Sequence, residues 1–95
     1  MSTVLSGTEL QQAVDGLTGW IAQGKAIERT FEFPNFVEAM GFVNRIAEAA
    51  EAVNHHPDIT INYNKVKLAL TSHDSGGVTQ RDLRMAEKIN ELSAA

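Results

Sequence analysis

Three histidines hold most of the reactive potential of this chain: the adjacent pair His55-His56, closed by Pro57, and the separate His73. Imidazole exchanges protons near neutral pH, so a converging group of them suits acid–base catalysis. Glu51, Asp74 and Asp82 are the carboxylates placed to orient those rings. Glu51 falls on the last turn of a helix, where the helix dipole disfavours negative charge. Orienting His55, one turn onward, gives it a reason to be there. The rival reading is a three-histidine metal site, since three imidazoles and an open position form some catalytic zinc centres. Against it, neither H-x-H nor H-x₃-H spacing occurs, and sequence neighbours tend to point different ways. Gly76-Gly77 before a helix lacks the surrounding pattern of a phosphate loop and reads as a turn. Ser72 beside His73 lacks the G-x-S-x-G context of a nucleophile elbow.

The surrounding elements must bring the two histidine segments together. Asn35 caps a long helix running to about Ala52, and Pro57 disfavours helical backbone at His56. The helix therefore ends near Val53-Asn54 and leaves His55-His56 in its exit loop. Along it Phe36, Met40, Val43, Ala47 and Ala50 form an apolar stripe, widened by Ile46 and Val53. Beyond Pro57, Ile59, Ile61 and Tyr63 alternate with polar residues, and so do Val66, Leu68 and Leu70. Only Asn64-Lys65 separates the two runs, which predicts an antiparallel hairpin. The chain that leaves Pro57 thus returns at His73, close to His55-His56.

Upstream, Ser6-Gly7-Thr8-Glu9 is a capping box, with Leu5 and Leu10 placed as a hydrophobic staple. Leu10, Ala13, Val14 and Leu17 continue a short helix that stops near Gly16. Gly19-Trp20 opens a short extended piece, Gly24-Lys25 is a turn, and residues 27–33 alternate with Ile27, Arg29, Phe31 and Phe33 on one side. Trp20, Phe31 and Phe33 read as core; Lys65 and Lys67 read as a solvated strand face. Thr79-x-x-Asp82 is a second capping box, opening a helix with Leu83, Ala86, Ile89 and Leu92 on one face. The order α, short β, β, α, β, β, α predicts a single α+β domain over residues 1–95, its helices covering one face of the sheet. Water or a partner subunit then meets the other face.

Glu51-x₃-His55-His56-Pro57, followed by Tyr63, His73 and Asp82 at their present spacing, resembles the pterin-4a-carbinolamine dehydratase motif. Gly19-Trp20, residues 27–33 and 36–45, Tyr63-Asn64-Lys65-Val66 and Thr79-x-Arg81-Asp82 extend the resemblance across residues 17–92. It implies a four-stranded antiparallel sheet with three helices packed on one face, assembled as a homodimer or homotetramer. It also implies dehydration of a 4a-hydroxytetrahydropterin to the quinonoid dihydropterin, in the recycling of tetrahydrobiopterin-type pterins used by an aromatic amino acid hydroxylase. Neither metal nor organic cofactor is implied. By the same resemblance His55 and His73 are general acids on opposite pterin faces, and His56 mainly binds substrate. Asn54, Thr71, Ser72, His73 and Asp74 join the substrate contacts, with Glu51 and Asp82 behind them. The chain departs from some animal members at Ile59 and Asn54, where those carry Trp and Asp. Relatives that act as dimerisation cofactors or assembly chaperones supply the alternative, an interaction protein on the same fold. A scaffold alone has no need of three histidines.

Composition narrows the remaining classes. Twelve acidic against eight basic residues give a net charge of −4, which disfavours a nucleic-acid surface. There is no cysteine, so thiolate chemistry, disulfides and iron–sulfur clusters are excluded. No apolar run reaches the roughly 18–20 residues of a membrane span, and the first residues lack a secretory pattern. A cytoplasmic protein is expected.

Overall fold

Two capping boxes and an asparagine cap set where the helices begin. The computed structural model describes residues 3–94. In α1 (Gly7–Asp15) the Ser6 hydroxyl accepts the Glu9 N–H while the Glu9 carboxylate accepts the Ser6 N–H. The Asn35 side chain accepts the Glu38 N–H at the start of α2 (Phe36–Val53). Thr79 and Asp82 repeat the reciprocal arrangement at α3 (Gln80–Ser93). Each device satisfies amide hydrogens that a first helical turn leaves without partners.

Four strands, β1 (Ile21–Gln23), β2 (Ala26–Glu32), β3 (Asp58–Asn62) and β4 (Lys65–Leu70), form one antiparallel sheet in the order β1-β2-β4-β3. The fold is therefore α+β, as expected. Ile27 and Phe31 of β2 and Val66, Leu68 and Leu70 of β4 point into the core, where Phe42, Ile46 and Ile89 of the helices meet them. Glu28, Thr30, Lys65 and Lys67 face the other way, with Lys67 and Glu28 paired at 3.6 Å. That face is mostly polar, with Ile21 and Ala69 among its apolar members.

Two expectations need correction. The buried stripe of α2 keeps the expected Ile46 and Ala50 but adds Ala39 and Phe42, one residue earlier than the half-buried Met40 and Val43, while Phe36, Ala47 and Val53 are exposed. Phe42 sets the rotation: its ring lies 4.9 Å from that of Phe31 and 5.0 Å from that of Phe33. The hairpin turn is Tyr63-Asn64, because Asn62 pairs with Lys65. Tyr63 takes the left-handed conformation at φ 55°, and the Asn64 carboxamide donates to the Phe33 carbonyl at 2.8 Å.

A polar knot ties the first loop to α3. Asn90 Oδ1 accepts from Trp20 Nε1 and from Arg29, both at 2.8 Å, and Arg29 also donates to the Thr18 carbonyl. Burial lowers the Arg29 pKa from its usual range. Gly19, at φ 82°, is needed there, since a Cβ would stand 2.4 Å from the Arg29 side chain.

Candidate active site

Asn54 ends α2 in the left-handed conformation (φ 51°, ψ 45°), which asparagine tolerates better than most residues. The chain reverses there, and the His55 N–H donates to the Ala50 carbonyl at 3.1 Å. His55 is thereby turned back against the start of α3, where its Nε2 meets Asp82 Oδ1 at 2.6 Å. Asp82 is wholly buried. Its other oxygen accepts from the Ser72 hydroxyl and the Thr79 N–H, both at 2.9 Å. The single Ser72 hydrogen is spent on Asp82, so the 2.8 Å contact between the two hydroxyls has Thr79 donating. A buried carboxylate with this many partners avoids most of the penalty of an unpaired buried charge.

Glu51 was expected to orient His55; it pairs with His56 Nε2. The helix exit explains the exchange, because the left-handed turn at Asn54 sends His55 inward. His56 stays half exposed beside an exposed Glu51. His73 is exposed at the far end of β4, next to Ser72. The β3–β4 register, continued past its last recorded pair of Asp58 with Ala69, carries His55 toward Ser72. Hence the two histidine segments reach the same end of the sheet, as the hairpin argument requires.

Asp74 binds Arg81 at 2.6 Å, and that guanidinium bond holds its carboxyl below the usual carboxylate range. Thr71 donates its hydroxyl to the Lys25 carbonyl at 2.6 Å. Ser72 is buried, and its backbone N–H is bonded to the Gly77 carbonyl. Its place is therefore behind the surface, supporting Asp82. Among the described residues no group of three or more His, Asp or Glu side chains is placed to hold a metal ion.

A cleft of about 490 Å³ opens between α2 and α3, with His55 at its edge. Ala49, Ala52, Val53 and Met85 give it an apolar lining; Arg81, Arg84 and Lys88 add positive charge. Of the three histidines, His55 lines this cleft. The basic wall was missed in the sequence. Its signal was there, in cations recurring at helical spacing along α3.

With an ionised Asp82, an acceptor, opposite Nε2, the proton of a neutral His55 ring belongs on Nε2. Nδ1 is then the atom left to take or give a proton.

The family model described as pterin 4 alpha carbinolamine dehydratase matches residues 3–92. A relative from Koribacter versatilis that carries the pterin-4-alpha-carbinolamine dehydratase name is 59% identical over 92 residues, covering 97% of this chain and 98% of its own. Another so named, from Thermomicrobium roseum, is 50% identical over 90 residues, covering 95% and 97%. Among solved structures, a transcriptional coactivator/pterin dehydratase from Brucella melitensis superposes with a TM-score of 0.89 at 37% identity, over 95% of this chain and 98% of that one. A pterin dehydratase-like RuBisCO assembly factor of the alpha-carboxysome shares the fold at TM-score 0.70 and 21% identity, over 81% of this chain and 92% of that one.

Proposed function

The chain belongs to the pterin 4 alpha carbinolamine dehydratase family, and from that premise we propose that it dehydrates a 4a-hydroxytetrahydropterin by histidine acid–base catalysis. The observation that carries the reading is the His55–Asp82 pair, a ring at the edge of the cleft held by a buried carboxylate. In the reaction the C4a hydroxyl takes a proton from an imidazolium and leaves as water with the bond's electron pair. The N5 lone pair closes a C4a=N5 double bond, and the N5 proton passes to a neutral imidazole or to water. The product is the quinonoid dihydropterin. His55 and His73 act as the acids on opposite ring faces. His56, steadied by Glu51, binds the substrate along with Asn54, Thr71 and Asp74. Asp82 and Ser72 serve by positioning.

The same reading treats residues 1–95 as one domain, working in the cytoplasm beside an aromatic amino acid hydroxylase. It also makes the protein a homodimer or homotetramer. Support comes from the edge strand β3, where Ile59 and Ile61 are 37% and 38% exposed, and from the exposed Phe36 and Val37 of α2. A purely interaction role, the alternative on this fold, accounts for Asp82 as the cap of α3 but not for the imidazole held on its other oxygen.

The test is turnover of freshly generated 4a-hydroxytetrahydropterin by purified protein treated with a chelator. Acceleration over the spontaneous reaction, lost in His55→Ala, is the expected result. Decay no faster than in buffer would overturn the reading.

A further inference from the structure

We propose that the cleft between α2 and α3 receives an anionic side chain of the pterin, ending in phosphate or carboxylate. This rests on the dehydratase reading, which puts the pterin ring beside His55. From that residue the cleft follows α3 past Arg81 and Arg84 to Lys88, with Met85 and Val53 as apolar surface. Arg81 to Lys88 covers two turns of helix, about 10 Å at 1.5 Å per residue. A ring at the His55 end therefore puts the tip of an extended substituent at the Lys88 end. Arg81 is already paired with Asp74. Among the described residues, the ion pairs include neither Arg84 nor Lys88. Two such cations converging on one cleft, in a chain of net charge −4, make a local reversal of sign suited to an anion. A neutral substituent would fill the apolar part and leave both charges unused.

Titration calorimetry with three ligands tests this: 6-methyl-7,8-dihydropterin, a 7,8-dihydropterin with a phosphate-ended side chain, and 7,8-dihydrofolate, whose tail ends in carboxylates. At least one anionic ligand should bind about 5- to 10-fold tighter than the methyl compound, as two solvent-accessible ion pairs allow. Which one leads identifies the anion. The preference should shrink with added salt and fall within about twofold in the Arg84→Gln/Lys88→Gln variant, while Lys88→Arg retains it. Denaturant melts of each variant report whether it is folded. Equal binding of all three ligands, or a preference that survives the double substitution, would overturn the inference. Turnover of 4a-hydroxy-6-methyltetrahydropterin separates the two levels. Turnover without charge preference defeats the cleft assignment alone; absence of both turnover and binding defeats the dehydratase reading and this one with it.

Discussion

Replacing Asp82 by asparagine should leave the fold standing and remove most of the catalysis. Three hydrogen bonds converge on this buried carboxylate, from His55, Ser72 and the Thr79 N–H. Asparagine has the same shape, and its carbonyl oxygen can still accept from Ser72 and Thr79. Its amide then points an N–H at His55 Nε2. A neutral ring must answer with a lone pair there, moving its proton to Nδ1, and an imidazolium would set donor against donor. Both changes disable Nδ1 as the group that exchanges a proton with substrate. A lost general acid typically costs about 10²–10⁴-fold in rate, equivalent to about 3–5 kcal/mol of barrier. Weakening one bond to a charged group costs about 1.5–3 kcal/mol of stability, within the total of about 5–15 kcal/mol for a domain of this kind. Asp82→Ala is the contrasting case. It leaves the His55, Ser72 and Thr79 donors without their acceptor, so a loss of about 3–5 kcal/mol of stability is expected.

Stopped-flow decay of a 4a-hydroxytetrahydropterin gives kcat and KM, and urea unfolding gives the folded fraction on the same preparation. The asparagine variant should lose kcat with KM nearly unchanged, the sign of an interaction strengthened in the transition state. A merely structural carboxylate would show its effect in the folded fraction, and cooling would restore the rate. A folded Asp82→Asn protein whose kcat stays within about threefold of the parent would refute the orienting role.

If His55 and His73 serve opposite ring faces, His55→Ala and His73→Ala should each slow one C4a stereoisomer far more than the other, by about 10²-fold or more. Equal losses for both isomers in both variants would sink the two-acid scheme. Glu51→Gln should change stability by no more than about 1 kcal/mol, because the His56–Glu51 pair is exposed on both sides; urea unfolding checks it. Gly19→Ala should cost about 1–3 kcal/mol, from its left-handed backbone and the 2.4 Å approach to Arg29, seen as a lower urea midpoint. Asp74 and Glu9 have folded pKa values depressed by Arg81 and by the Ser6 N–H respectively. Their contributions are therefore complete above the ordinary carboxylate pKa of about 4 and vanish as pH falls through the lower folded values. Carboxyl chemical shifts followed by NMR should titrate below that ordinary range; midpoints at or above it would contradict the assignment.

Helix starts were legible in the sequence because each is written in a short string: Ser6 to Glu9, Asn35, and Thr79 to Asp82. The helix rotation of α2 was less so. Its apolar arc is wide enough to hold both the Met40 series and the Phe42 series, so the two were close rivals. Only the aromatic neighbours on β2 and just past its end, Phe31 and Phe33, decide between them. The hairpin turn was ambiguous for a different reason. Turns at Tyr63-Asn64 and at Asn64-Lys65 give pairings that differ by a two-residue slip, and such a slip keeps the same side chains on the same face. The hydrophobic pattern cannot choose; the Asn64 carboxamide, bonded to the Phe33 carbonyl just past β2, favours the observed one.

The candidate site divides along the same line. Residue types and strand return put His55, His56 and His73 at one sheet end, but which carboxylate serves which ring depends on a single dihedral. Glu51 lies one turn before His55 in the chain, and a continuing helix would have brought the two together. Asn54 instead enters the left-handed region and swings His55 inward, exchanging an exposed partner for a buried one. Asp82 thereby has two tasks, closing the capping box of α3 through one oxygen and holding His55 through the other. The capping motif alone accounts for an acidic residue at this position, which hides the second task from any reading of the string. Geometry separates them: a cap needs only the oxygen facing Thr79, whereas the imidazole on the other oxygen is what makes the carboxylate's charge matter.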